Sequence, residues 1–231
     1  MTIMEEIRKV EDQLSKYEGP RLKPNKESLE ELLFYEVGIG ENKKKKIFYR
    51  SRFFDKMDLS EISFDGVDTD FYHPNYDMVD FSNTNINLDF TKMKGNVLAS
   101  IILTNVDLSK SSIEKMKRIE EVILNNTGID LSKFENTLFN DVYLDNNDLS
   151  NIEFTLKKYR DKYYLTDGKN RYNKISLYNT GATINIKNHK IEDLLKVSAG
   201  GILCDFEGCN IISNKTLYVD QDKKRVKTIK L

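Results

Sequence analysis

The stretch VYLDNNDLSNIEF, residues 142–154, decides the fold because its apolar centres recur at every fifth position. The centres are Leu144, Leu149 and Phe154, and an apolar residue such as Val142 often lies two positions before a centre. An interval of five matches neither the 3.6-residue period of an α-helix nor the two-residue period of a β-strand. The spacing therefore indicates a structural repeat rather than a single helix or strand.

The same pattern returns along the chain at a second, longer interval of about 20 residues. This interval separates the first apolar centres of five successive clusters, Leu59, Phe81, Leu103, Leu124 and Leu144. Further clusters follow at Leu177 and Phe206. Such a period is typical of a solenoid, in which each coil buries its apolar centres by stacking on its neighbours. The Asp, Asn or Ser before many centres is assigned to turns, where its side chain accepts backbone hydrogen bonds.

A five-residue unit around an apolar centre resembles the unit of the pentapeptide-repeat proteins, which form right-handed quadrilateral β-helices. The resemblance covers residues 57–213 in patches, and EKMKRIEE, residues 114–121, departs from it and is predicted to form helical turns. Leucine-rich repeats, with a period of about 20–29 residues, are the alternative for residues 98–149. The expected fold is mainly β, a right-handed β-solenoid of about six to seven coils of about 20–22 residues each.

The N-terminal part of the chain, residues 1–54, carries a different pattern. Thr2 and Glu5 form a capping box before an apolar stripe at helical spacing, and ESLEELLFYE, residues 27–36, is predicted to be a second helix. KKIFYRSRFF, residues 45–54, is predicted to be a strand. We interpret residues 1–54 as an α-helical N-terminal cap over the open end of the solenoid, with a partner-binding or dimerisation role as the alternative.

The other boundaries follow from the spacing of the repeats. The repeats occupy residues 55–156, after which the next cluster is delayed to Leu177. Residues 157–174 account for the delay and are interpreted as an inserted basic hairpin. Residues 175–231 hold the last solenoid coils, a short inserted helix within residues 188–201 and a basic C-terminal tail.

The inserted hairpin is a candidate nucleic-acid-binding site. Asp167 and Gly168 lie between alternating segments and predict its turn. Basic side chains neutralise phosphates and tyrosine rings stack on bases. The alternative is an ordinary hairpin whose tyrosines pack on the solenoid and whose lysines stay hydrated. The candidate residues are Lys158, Tyr159, Arg160, Lys162, Tyr164 and Arg171.

Charge is distributed unevenly, although the formal net charge of the chain is -1. Residues 55–90 carry nine acidic and one basic side chain, whereas residues 151–231 carry 16 basic and nine acidic ones. Such an asymmetry favours an electrostatic partner surface. The candidate acidic, protein-binding face consists of Asp58, Glu61, Asp65, Asp68, Asp70, Asp77 and Asp89.

The resemblance implies a function for this acidic face. Some pentapeptide-repeat proteins resemble duplex DNA in outline and acidity and occupy the DNA-binding surface of type II topoisomerases. We therefore expect a non-enzymatic binding protein whose acidic face engages a protein partner and inhibits or protects a nucleic-acid-processing enzyme, as a DNA mimic or a phage anti-defence protein does. Nucleic-acid binding through the hairpin is the alternative, a structural or interaction scaffold is the third interpretation, and homodimerisation is left open.

No catalytic, cofactor-binding or metal-binding residue is predicted, because the sequence has no nucleophile elbow, phosphate-cradling loop or paired-histidine zinc motif. CDFEGCNIIS, residues 204–213, is interpreted as two repeat units, so Cys204 and Cys209 are expected at small inward positions rather than in a disulfide or a metal site. The sequence contains neither an apolar run of membrane-spanning length nor a signal peptide, which predicts a cytoplasmic protein without membrane contact.

Overall fold

The structure is a computed structural model that describes residues 34–37, 44–47, 57–71, 78–214 and 228–229. Within these ranges the protein is mainly β, as expected, and its helical residues form short 3-10 helices. The strands are β1 (Phe34–Val37), β2 (Lys44–Ile47), β3 (Asp58–Leu59), β4 (Asp68–Asp70), β5 (Val79–Asp80), β6 (Asn85–Ile86), β7 (Lys94–Ile102), β8 (Arg118–Ile123), β9 (Leu138–Tyr143), β10 (Glu153–Tyr159), β11 (Lys162–Thr166), β12 (Arg171–Tyr172), β13 (Ile175–Ser176), β14 (Thr183–Asn185), β15 (Asn210–Ile212) and β16 (Thr228–Ile229). The 3-10 helices are Ile113–Lys115, Leu131–Lys133, Ile191–Lys196 and Leu203–Phe206.

One large sheet has the strand order β16-β15-β14-β10-β11-β12-β9-β8-β7-β4, with β5 and β13 paired to β7 and β9 outside this path. Its centre is parallel: Val97 of β7 aligns with Arg118 of β8, and Arg118 aligns with Leu138 of β9. These two register steps are equal to the steps from Leu103 to Leu124 and from Leu124 to Leu144 in the sequence. The long repeat in the sequence is therefore the step from one parallel strand to the next.

Parallel pairing stacks apolar side chains into buried columns. One column consists of Leu98, Ile119, Phe139 and Tyr172, which are register partners and are all fully buried. A second column consists of Ile101, Val122, Val142 and Ile175. In β7, β8 and β9, a residue with positive φ lies between the residue of the first column and that of the second. Since each apolar side chain is covered by the equivalent side chain of the next strand, burial needs the whole stack.

The predicted apolar centres form a third column. Phe81, Leu103, Leu124, Leu144 and Leu177 are fully buried. Their backbone amides donate hydrogen bonds of 2.7–3.0 Å to the next segment of the chain. The sequence predicts that Leu59 joins this column, and this prediction is wrong. β3 pairs with β6 and aligns Leu59 with Ile86, the apolar residue five positions after Phe81.

Asparagine side chains form a ladder on the surface. Asn105 Nδ2 donates to Asn83 Oδ1 at 2.7 Å, and Asn126 Nδ2 donates to Asn105 Oδ1 at 2.8 Å. Asn179 donates in the same way to Asn146 at 3.0 Å. All five residues have φ between 53° and 60°, a left-handed conformation that asparagine adopts more readily than most side chains. The ladder therefore marks one corner of each chain segment.

The aspartates that precede the apolar centres are turn residues, as predicted. In each turn the Asp Oδ1 accepts a hydrogen bond from the amide of the Ser or Thr two positions later, at 2.9–3.1 Å. The aspartates concerned are Asp58, Asp107 and Asp148, which precede predicted centres, and Asp89 and Asp130, which precede the buried residues Phe90 and Leu131. The Ser or Thr hydroxyl bonds first of all, and then the amides, lower the carboxyl pKa of Asp89, Asp107 and Asp148. These carboxylates belong to the scaffold.

β1 corrects the prediction of a helix over residues 27–36. Phe34–Val37 is a strand that pairs antiparallel with β2. The Phe34 ring packs edge-on against Phe64 at 5.5 Å, and Lys45 Nζ lies 4.0 Å from the centre of the Phe34 ring. These contacts outweigh the local helical pattern. The other positions of the predicted cap, residues 1–33, 38–43 and 48–54, lie outside the described residues.

Residues 114–121 also differ from their predicted helical turns. Only the first two residues belong to the 3-10 helix Ile113–Lys115, and β8 starts at Arg118. Ile119 and Val122 are fully buried in the columns described above, which favours a strand over a helix. The short helix predicted within residues 188–201 is the 3-10 helix Ile191–Lys196.

The inserted segment is part of the sheet. β10 and β11 pair antiparallel around Arg160 and Asp161, and β11 and β12 pair antiparallel around the predicted turn at Asp167 and Gly168. β10 also pairs in parallel with β14, and β12 pairs in parallel with β9. The insertion therefore adds strands between the repeats, and β10 begins at Glu153, before the predicted start of the hairpin.

The two cysteines have different environments, and both are free. Cys209 is buried as predicted, and its Sγ donates to the Leu177 carbonyl at 3.2 Å. Burial raises the pKa of the Cys209 thiol to about 11. The inward position predicted for Cys204 is wrong, because this residue lies exposed in the 3-10 helix Leu203–Phe206, which buries Phe206 instead.

Gly208 occupies a position that no other residue fits well. Its φ is +83°, and an added Cβ would lie 2.8 Å from the Cα of Asn179. We expect Gly208→Ala to lower the free energy of unfolding by about 2–4 kcal/mol, because a left-handed L-residue and an overpacked contact each contribute about 1–3 kcal/mol. Urea unfolding monitored by circular dichroism measures the change.

Gly128 provides the matched control, since its φ is +68° but no atom lies within 4 Å of the added Cβ. Gly128→Ala is expected to cost about 1 kcal/mol from the backbone conformation alone. Equal losses in the two variants would show that the contact with Asn179 contributes nothing.

Candidate functional site

The main sheet presents a mainly polar surface opposite its buried columns. We define the outer face as the outward side chains of β4, β7, β8, β9, β12, β11 and β10. Because side chains alternate along a strand, the outward residues are the neighbours of the buried ones. One row crosses this face at the same height and consists of Asp70, Ala99, Glu120, Asn140, Asn173, which directly follows β12, Tyr164 and Lys157.

Side-chain contacts connect the middle of this row. Asn140 Nδ2 donates to Glu120 Oε1 at 3.4 Å, and Asn173 Nδ2 donates to Asn140 Oδ1 at 3.4 Å. Arg171 Nε donates to Asn173 Oδ1 at 2.8 Å, and its guanidinium lies 4.4 Å from the centre of the Tyr164 ring. Side chains held by neighbours lose less conformational entropy when a partner binds. The middle of the outer face is therefore a preorganised surface.

An acidic groove lies at the β4–β7–β8 end of the outer face. It has a volume of about 540 Å³, and its lining includes Asp68, Asp70, Glu120 and Glu121, with Arg118 as a basic residue. Arg118 forms an ion pair of 2.6 Å with Glu120. Glu121 is exposed and has a φ of 52°, which carries its side chain out at the corner of the sheet. The groove thus combines concave shape with a surplus of carboxylates.

The predicted acidic face is only partly brought together. Asp68 and Asp70 lie on β4 and line the groove, whereas Asp58 lies on β3 in a separate two-stranded sheet. Asp68 is buried, with 4% of its surface exposed, and lies 3.8 Å from Lys46 Nζ. Its inclusion in an exposed face is wrong, because a buried and paired carboxylate presents no charge to a partner.

The other predicted acidic residues lie elsewhere or are compensated. Glu61 and Asp65 are exposed in the turns between β3 and β4. Asp89 lies in the turn between β6 and β7 and approaches Lys92 Nζ at 3.8 Å. Asp77 lies outside the described residues. Glu120 and Glu121 were not predicted from the sequence, where basic residues such as Arg118 lie close to them in the chain. Pairing of β8 with β7 and of β7 with β4 brings them into one groove with Asp70.

The candidate nucleic-acid residues divide between the two faces of β10 and β11. Tyr159 and Lys162 are register partners on the outer face, and Tyr164 and Arg171 lie there too. Lys158 faces the other side, and its Nζ lies 5.2 Å from the centre of the Tyr163 ring. Arg160 is in the turn. Lys157, which pairs with Tyr164 on the outer face, is absent from the residues predicted from the sequence, although strand alternation is a signal for it.

The chain's own cations cover the tyrosine rings of this region. Arg171 covers Tyr164, and Lys196 Nζ lies 4.2 Å from the centre of the Tyr163 ring. Arg160 lies 5.3 Å from the centre of the Tyr159 ring, although 59% of the Tyr159 surface is exposed. A ring face occupied by a cation cannot stack on a base. Tyr159 is therefore the best placed of these tyrosines to meet a ligand.

Two further carboxylates lie near β13. Asp145 Oδ1 accepts hydrogen bonds from Ser176 Oγ at 2.6 Å and from the Tyr178 amide at 3.0 Å. Asp205 is buried and accepts hydrogen bonds from Ser198 Oγ and, at 2.7 Å, from the Gly200 amide. Burial raises the pKa of Asp145, and the nearby charge of Asp205 adds to the shift. Both carboxylates hold loops in place through these bonds.

The raised pKa of Asp145 predicts a pH effect on stability. At pH values between the ordinary carboxyl pKa of 3.8 and the raised pKa of Asp145, the folded protein still binds a proton that the unfolded chain has lost. The free energy of unfolding therefore falls as pH rises through this range. Asp145→Asn keeps an oxygen acceptor and removes the charge. We expect the variant to gain stability relative to the wild type as pH rises through this window, as measured by urea unfolding at several pH values.

Asp148→Asn is the control, because the Ser150 hydroxyl and amide lower the pKa of Asp148. Its relative stability should instead fall as pH rises towards the ordinary carboxyl pKa. A difference between the Asp145→Asn variant and the wild type that does not change with pH would refute the account of Asp145.

Among the described residues, no group of three or more His, Cys, Asp and Glu side chains could hold a metal ion. No helix within those same ranges has the length and apolar character needed to cross a membrane. Comparisons of the chain with protein families, with curated proteins and with solved structures find no match.

Proposed function

We propose that this protein is a non-enzymatic β-solenoid binding protein whose outer face engages a protein partner. Support for the solenoid comes from parallel strands whose register steps equal the spacing of the apolar clusters, and from buried columns that run through successive strands. The centres at intervals of five favour right-handed coils of the pentapeptide type. The observation that carries the function is the acidic groove beside a preorganised row of polar side chains.

The chemistry of the groove selects a class of partner. Apart from Asp68, which is paired with Lys46, the groove has three carboxylates and one arginine, so it complements a Lys- or Arg-bearing segment of another protein. A nucleic-acid-processing enzyme carries such a basic surface where it contacts phosphates. The ion pairs at Asp68, Asp89 and Glu120 favour local docking in the groove over an extended imitation of duplex DNA.

Affinity capture with matched variants tests this function. The immobilised protein is offered host lysate at physiological salt, and retained proteins are compared between the wild type and Glu120→Lys or Glu121→Lys. We expect both variants to lose at least tenfold of the specific partner, because like charges across an interface cost several kcal/mol. Glu192→Lys, an exposed residue on the 3-10 helix Ile191–Lys196, is the control. Retention that is unchanged by the groove variants would refute the proposal.

Nucleic-acid binding through the hairpin is the second candidate, favoured by the exposed ring of Tyr159 between Lys157, Arg160 and Lys162. The covered rings of the neighbouring tyrosines weigh against base stacking. In this case the wild type retains naked single-stranded nucleic acid with an affinity that falls steeply with salt. Charge reversal at Lys158, Arg160 and Arg171 would then abolish the retention.

A further inference from the structure

The two ends of the outer face carry opposite charges. Counted from β4 to β10, β9 is the middle strand, with three strands on either side. The β4–β7–β8 end holds the acidic groove, whereas the β12–β11–β10 end holds Arg171, Lys162 and Lys157 against one outward carboxylate, Glu153 of β10. Asp70 and Lys157 occupy the two ends of one row, each three strands, about 14 Å, from β9.

This arrangement is complementary to itself. When two copies pack face to face around a two-fold axis parallel to the strands and above β9, the strand order of the second copy runs in reverse. β4 of one copy then lies over β10 of the other, so Asp70 faces Lys157 twice. A two-fold axis across the strands would place the acidic ends against each other. Charge complementarity thus selects one of the two axes.

The centre of the outer face is a leucine between two arginines. Leu138 lies on β9, the strand beneath the axis, and is partly exposed, so it would meet the Leu138 of the second copy. Its register neighbours are Arg118 on β8 and Arg171 on β12, and the same axis places Arg118 of one copy opposite Arg171 of the other. Both side chains are held within their own copy, Arg118 by Glu120 at 2.6 Å and Arg171 by Asn173 at 2.8 Å, so the opposite charges at the two ends carry the complementarity.

We infer that a second copy of this chain docks on the outer face to form a two-fold homodimer, in which the basic end of each copy covers the acidic groove of the other. The inference rests on the proposed function, because it takes the outer face to be a protein-docking surface. The basic end of the second copy takes the place of a basic partner, so partner binding and dimerisation compete.

Sedimentation equilibrium over a range of protein and salt concentrations tests the dimer. The wild type is expected to dimerise as concentration rises, and the dimer to weaken as salt screens the charges. Lys157→Glu and Asp70→Lys should each weaken dimerisation at least tenfold, because each places like charges together. The double variant Lys157→Glu with Asp70→Lys restores opposite charges across the axis and should recover most of the affinity.

Lys187→Glu, at an exposed position after β14 and outside the outer face, is the control and should leave dimerisation unchanged. Circular dichroism confirms that each variant is folded. A monomer at all concentrations, or a dimer that the two single variants leave intact, would overturn the inference, as would a double variant no better than the single ones. If a monomeric wild type still captures a partner that Glu121→Lys loses, the dimer alone is wrong and the proposed function stands.

Discussion

Replacing Phe139 with alanine is expected to lower the free energy of unfolding by about 3–5 kcal/mol, the range found when a buried aromatic ring is removed. Phe139 is fully buried in the first column, stacked on Tyr172 with ring centres 4.6 Å apart and planes inclined by 17°. It also meets Phe134 edge-on at 5.3 Å. Since β9 joins the repeats to the inserted strands, the cavity would open where the two parts of the sheet meet.

Urea unfolding monitored by circular dichroism and tyrosine fluorescence measures this loss, because the chain contains 12 tyrosines and no tryptophan. Leu138→Ala is the matched control: it is the preceding residue but lies on the outer face, partly exposed, and should cost about 1 kcal/mol or less. The experiments use dilute protein at high salt, where the proposed dimer would dissociate. Similar losses for the two variants would contradict the assignment of Phe139 to the core.

Replacing Asn147 with alanine is expected to cost at least about 3 kcal/mol, because it leaves several buried backbone groups without partners at about 1–3 kcal/mol each. The Asn147 side chain is buried, and its Oδ1 accepts from the Thr127 and Gly128 amides at 2.9 and 3.1 Å. Its Nδ2 donates to the carbonyls of Leu124 and Leu144 at 2.7 and 2.8 Å. One amide thus joins two successive chain segments.

The same unfolding measurement applies, with Asn151→Ala as the control because Asn151 is an exposed asparagine four positions further along. That control should change stability by no more than about 0.5 kcal/mol. Asn147→Asp adds a second test, since it keeps the acceptor and loses both donors. If the aspartate variant is as stable as the wild type, the two bonds to the carbonyls carry no weight.

Much of the fold could be predicted because the same pattern of apolar and turn residues recurs along the chain. The centres Leu103, Leu124 and Leu144 are fully buried, and their spacing equals the strand-to-strand offset. The turn role of the aspartates was predictable for the same reason, since Asp and a following Ser or Thr recur at equivalent positions. Local sequence patterns that recur at a fixed interval are sufficient to predict the buried centres and the aspartate turns.

The candidate site was predicted less well. Glu120 and Glu121 share a groove with Asp70 only because β8 pairs with β7 and β7 pairs with β4. Within the hairpin, the sequence placed the turn at Asp167 and Gly168, and the structure has a second turn at Arg160 and Asp161 that brings Tyr159 against Lys162. Neighbours across strands depend on register, which one segment of sequence does not contain.

By itself, the sequence determined that this is a mainly β protein with a repeated unit, because a short interval of five and a long interval of about 20 residues select the side chains that stacking buries. Only the tertiary structure decided that Leu59 aligns with Ile86, that Phe34 belongs to a strand and that Cys204 is exposed. It also decided that acidic and basic residues share one outer face. The physical reason is that a repeat fixes burial within each unit, whereas pairing between distant segments sets which surface residues become neighbours.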